Sequence, residues 1–169
     1  MTSALVSIPV GVVVARYRAT NPWLEFVWRP VCVLEGVPSA APWTALHHDG
    51  DVTTFYAGPG VIELHRTETA NYLGNLQSGA PTLWVVLRPT GTEPPYDVLA
   101  VTADPAEGEA MTEAGNDLVD TVPVPATIAE FLEAFVFEHH VERPVFKRQR
   151  DRVEPDAPAR RKGGPGGGS

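Results

Sequence analysis

Lysine is missing from the first 142 residues of this 169-residue chain, whose only cations there are Arg16, Arg18, Arg29, Arg66 and Arg88. Against these five stand 18 of the 21 acidic residues, a balance of −13. A folded surface of that sign is not built to wrap nucleic acid, because phosphate contacts need clustered Lys and Arg. Cysteine is nearly absent as well. Cys32 alone excludes an internal disulfide and any cysteine-built zinc or iron–sulfur site. It sits in the run Val31-Cys32-Val33-Leu34, where a buried, inert thiol is the default, and a reducing, cytoplasmic setting fits it. Long apolar runs are lacking: residues 4–15 are broken by Pro9, have no basic residue before them and are too short to span a bilayer. There is no Gly-rich phosphate loop and no Gly-x-Ser-x-Gly elbow, and nothing in the sequence pairs a nucleophile with a base.

What is abundant is proline, 17 residues, and glycine, 15, which cut the chain into short elements and favour strands over long helices. The length suits one domain with a sizeable core. The spacing predicts strands over 8–18, 25–34, 43–48, 52–57 and 61–65, with turns at Asp49-Gly50 and Gly58-Pro59-Gly60. Pro30 marks an edge position or a bulge, and Phe26, Trp28 and Cys32 share one parity. A helix is predicted over 67–77, capped by Thr67. A strand follows over 81–88, apolar throughout and so central, and it pairs with 97–103. Asp104-Pro105-Ala106-Glu107 and the capping box Thr127-Ile128-Ala129-Glu130 open two more helices around a short strand at 118–122. The last helix is expected to bury Ile128, Phe131, Leu132, Phe135 and Val136, leaving Phe137 nearer the polar side. The resulting class is α+β: a mainly antiparallel, partly closed sheet of six to seven strands packed by two to three helices. The domain spans residues 1–142. Residues 143–169 hold the other eight cations and only three acids, a balance of +5, and read as a Pro/Gly-rich, largely disordered tail.

Candidate sites are sparse. His47-His48 and His139-His140 are adjacent pairs, and neighbours diverge on a strand or a helix, so capping and packing outweigh metal binding. Arg29, Arg66 and Arg88 are candidates to grip a small anionic ligand. Arg66 lies where a strand gives way to a helix N-terminus, a place that favours anions. Trp23, in a turn, either anchors a partner or plugs the end of a small barrel. Arg143, Phe146, Lys147, Arg148, Arg150 and Arg152 form the clearest interaction element, with Phe146 favouring a specific dock.

Several segments, taken in order, resemble an uncharacterised bacterial domain family whose genes often accompany molybdenum-dependent formate dehydrogenases. They are Pro9-Val10-Gly11-Val12, Asn21-Pro22-Trp23, Trp28-Arg29-Pro30-Val31, Leu64-His65-Arg66 with Glu68-Thr69, Tyr72 and Asn75-Leu76. Trp84-Val85-Val86-Leu87-Arg88, Val101-Thr102, and Glu138-His139-His140-Val141-Glu142-Arg143-Pro144 with Lys147-Arg148 complete the set. The stretch at 105–110 departs from the family pattern, which implies an irregular helix there. The resemblance implies a setting rather than a reaction. The chain is expected to be a non-enzymatic accessory or assembly protein that binds a formate dehydrogenase subunit or a maturation factor, with no cofactor of its own. The alternative is an anion-binding module using Arg29, Arg66 and Arg88.

Overall fold

A computed structural model of the chain describes residues 6–23 and 25–141. The expected tail, residues 143–169, lies outside the described residues. Seven antiparallel strands form two sheets. In the first, β1 (Val6–Arg18) lies between β2 (Phe26–Glu35) and β4 (Val52–Leu64), and β3 (Thr44–Asp49) lines the far side of β4. In the second, β5 (Thr82–Pro89) lies between β6 (Tyr96–Thr102) and β7 (Leu118–Pro123). Three helices complete the fold: α1 (Thr69–Leu76), entered through a 3-10 turn at Arg66–Glu68, α2 (Pro105–Glu113) and α3 (Ala126–His139).

The sequence predicts one partly closed sheet, and the ladders instead divide into two. The sheets adjoin where β4 nears β6 and β2 nears β7, but no ladder crosses either seam, so the described residues form no closed barrel. Between the sheets, Val10, Val12 and Val14 of β1 meet Leu83, Val85 and Leu87 of β5 in one core that Ile128 and Leu132 of α3 also enter. Each such side chain stabilises by about 1.5–3 kcal/mol on burial. β5 is central, as its continuous apolar run predicts. Its other face carries Trp84, over which α2 lies at Gly108; a Cβ there would come 2.2 Å from Trp84 Cγ.

Several local expectations are corrected. Gly58-Pro59-Gly60 does not turn; β4 runs straight through it. Pro59 is tolerated because β3 pairs only with Val52–Tyr56, leaving β4 one ladder partner beyond that point. Gly60 gives room for Val101, whose Cγ2 would lie 3.0 Å from a Cβ. The Pro30 bulge is present: β1 pairs Val13 with Cys32 but Val14 with Pro30, skipping Val31 on the edge strand β2. The skipped residue flips the parity, so Cys32 faces away from Phe26 and Trp28 rather than with them. Cys32 is half-buried, and that burial raises its thiol pKa and keeps it a poor nucleophile. The box at Thr127 does not form. α3 starts earlier, after Pro125, and no side chain caps it. Phe131 falls at the margin of the buried stripe Ile128, Leu132, Phe135 and Val136, and it is half-exposed rather than core. The Asp104 cap is as predicted, its carboxylate accepting from the Ala106 and Glu107 N–H groups, and α2 is a regular helix despite the departure at 105–110.

Candidate functional site

The three arginines proposed as a ligand grip do not share a site. Arg29 Nε lies 3.4 Å from Asp120 Oδ2, linking β2 to β7. Arg88 donates through Nε and Nη2 to the two oxygens of Asp117, each at 3.1 Å, which raises its pKa by hydrogen bonding first and charge second. Arg16 spreads over the Phe26 ring at 4.3 Å, and Arg18 lies 3.7 Å from Asp51. Arg66 is different. Among the described residues it has no ion-pair, hydrogen-bond or ring partner.

Arg66 lies on a segment with two contrasting ends. From Tyr72 onward the segment is built into the fold. The Tyr72 hydroxyl accepts from the His65 N–H at 2.8 Å, and burial pushes its pKa up to about 12. Asn75, buried, donates to the Thr82 and Ala103 carbonyls and accepts from the Thr82 N–H, tying α1 to the ends of β5 and β6. The other end is open. Thr67 does not cap α1 as predicted; its hydroxyl donates to Glu68 Oε2, and no side chain caps either the 3-10 turn or the helix. Here a groove of about 440 Å³ is lined by Arg66, Thr67, Thr69, Ala70, His139, His140 and Val141. Among the described residues no carboxylate lines it, on a body with more than three acids for each arginine.

The histidines are held individually. His140 Nδ1 lies 2.9 Å from Thr69 Oγ1, and the His139 ring packs on Phe135 at 4.7 Å, with Nε2 3.8 Å from Glu138. His48 Nδ1 lies 2.7 Å from Thr53 Oγ1. The fold thus makes two hydroxyl–imidazole pairs that the sequence did not bring together. Both hydroxyls belong to buried threonines, and neither ring is oriented by a carboxylate on its second nitrogen among the described residues. No group of three His, Cys, Asp or Glu side chains gathers among the described residues.

Trp23 is 86% exposed, its N–H held by Asn21 Oδ1, so it does not plug a barrel end. Trp28 and Trp43 instead pack, partly buried, against the core. Their rings meet at 5.8 Å beside Phe55 and Tyr96, and Trp43 Nε1 donates to the Tyr96 carbonyl, anchoring a backbone with φ +69°. Phe137 is 92% exposed and Val141 78%. The basic residues Arg143, Lys147, Arg148, Arg150 and Arg152, with Phe146, follow outside the described residues. No described helix is long and apolar enough to cross a membrane.

Compared with known proteins, residues 9–150 match a family described as a protein of unknown function, DUF3305, and the chain belongs to that family. The match includes Arg66, His139 and His140, and it runs on through Lys147 and Arg148. No curated protein and no solved structure matches.

Proposed function

We propose that this DUF3305 protein is a non-enzymatic accessory or assembly protein that acts by docking another protein. The observation that carries this reading is the end of α3, where Phe137 and Val141 stand out in solvent immediately before the basic segment. An exposed phenylalanine on a helix gains nothing for the monomer and offers an anchor to a partner. The cations that follow supply long-range attraction to an acidic surface. Trp23 adds a second exposed aromatic. The buried, unoriented hydroxyl–imidazole pairs favour binding over catalysis. The resemblance to a family encoded beside molybdenum formate dehydrogenases supports a partner from that system, a subunit or a maturation factor, in the cytoplasm. The test is co-purification from the native host with and without residues 143–169. Tail-dependent enrichment of formate dehydrogenase subunits or cofactor-insertion factors is the expected result. Equal recovery of the same proteins with both versions counts against the reading.

The alternative, an anionic-ligand module, keeps one of its three arginines. Arg66 alone faces a groove that no described acid lines, while Arg29 and Arg88 are paired with Asp120 and Asp117.

A further inference from the structure

We infer that the Arg66–His139–His140 groove binds a carboxylate of an acidic, apolar-anchored peptide segment on the docking partner. This rests on the docking reading above and names the partner's chemistry. The groove unites two stretches far apart in sequence, the entry to α1 and the exit of α3. It carries one guanidinium with no partner among the described residues, two imidazoles and two threonine hydroxyls, and among the described residues no acid lines it. The guanidinium fork matches a carboxylate through two parallel hydrogen bonds. In the tautomer in which the Thr69 hydroxyl donates to His140 Nδ1, 2.9 Å away, the proton of the neutral ring sits on Nε2 as a further donor. Glu68 and Glu138 are sequence neighbours of lining residues; Glu68 is engaged by Thr67 and Asn71, and Glu138 Oε1 lies 3.8 Å from His139 Nε2.

Two features point to a peptide rather than a free oxyanion. Val141, 78% exposed, forms part of the groove wall, and Phe137, 92% exposed, lies one helical turn before His140. A small anion has no use for either side chain.

The probe is a short fluorescent peptide rich in Glu with one Phe, titrated into the full chain by polarisation. Arg66→Ala is expected to weaken binding roughly tenfold, as for the loss of a charged hydrogen-bonded pair. Arg66→Lys recovers only part of it, because an ammonium lacks the fork. Arg161→Ala, which removes one equal charge from the tail, changes binding at most about twofold. Replacing the peptide's Phe by Ala weakens binding to the wild type but not to Phe137→Ser. Equal losses for Arg66→Ala and Arg161→Ala overturn the inference, since tail charge alone then carries binding. Displacement of the peptide by inorganic phosphate through Arg66 also overturns it, assigning the groove to free oxyanions. If Arg66→Ala leaves peptide binding intact while tail-dependent co-purification persists, the groove falls and the docking reading stands.

Discussion

The two ends of the segment from His65 to Leu76 are built to opposite rules. At Tyr72 and Asn75 every described polar group has a partner inside the fold, and the side chains are buried. At Arg66 and Thr67 the chain turns outward without a cap, and its cation has no partner among the described residues. The family resemblance takes in residues from both ends, Leu64-His65-Arg66 with Glu68-Thr69 and Tyr72 with Asn75-Leu76, as though they were one motif. The structure separates them: the inner residues hold α1 to the strands, and the outer ones face a groove. A polar side chain that is satisfied inside the protein explains itself by folding, whereas an arginine left open on an acidic body calls for a ligand.

The sharpest way to break this contrast is at Asn75. Asn75→Ala strands the Thr82 N–H and the Thr82 and Ala103 carbonyls, and it is expected to cost about 2–4 kcal/mol in urea unfolding. Arg66→Ala should leave the same unfolding midpoint unchanged. A larger loss at Arg66 than at Asn75 would reverse the assignment.

Gly108 gives the next effect. Exchanging Gly for Ala inside a helix ordinarily stabilises by up to about 1 kcal/mol. Here the new methyl meets the Trp84 ring, which belongs to the covered face of the central strand. Overpacking of this kind costs about 1–3 kcal/mol, so Gly108→Ala is expected to lower the thermal midpoint. A rise would show that α2 can lift off β5 at no cost.

Tyr72 supplies a pH signature for the buried end. Its pKa is raised from the ordinary 10 to about 12 by burial first, with nearby carboxylates adding to the shift. Above pH 10 the unfolded chain therefore releases the phenolic proton while the folded chain keeps it, and stability falls as pH rises from 10 towards 12. Tyr72→Phe should remove that part of the alkaline loss and delete one late-titrating tyrosine from the ultraviolet titration. An unchanged alkaline profile would place the Tyr72 hydroxyl in water.

The smallest stability effects belong to the open surface. Trp23→Ala and Phe137→Ser are each expected to stay within about 0.5 kcal/mol of the wild type in urea unfolding, as for exposed positions. A loss above that range would mean these rings pack on the fold.

Much of the architecture was legible because it rests on local signals. The Asp49-Gly50 hairpin, the Asp104 cap and the apolar central strand each carry their cause within a few residues. Three features failed to show because their causes lie elsewhere in the chain. Gly58-Pro59-Gly60 reads as a turn until β3 is seen to stop short of it and Val101 to press on Gly60. One bulged residue, Val31, reverses the face assigned to Cys32. Thr127 carries the right capping pattern, but the helix begins a turn position sooner behind Pro125. The site was half legible. Arg66 stands out as one of five scarce cations in residues 1–142, and His139-His140 as an adjacent pair. Their shared groove depends on α1 packing against α3, which no spacing rule reveals. Arg29 and Arg88 looked equally available because Asp120 and Asp117 lie far from them in sequence.

The central claim is that the end of α3 and the groove beside it dock a protein. Quantitative mass spectrometry of material co-purified from the native host tests it most directly, comparing wild type with the double variant Arg66→Ala, Phe137→Ser. The account predicts that formate dehydrogenase subunits or maturation factors enriched by the wild type fall roughly tenfold with the variant, while both proteins keep the same unfolding midpoint. The same partners recovered in equal amount with both proteins would contradict it.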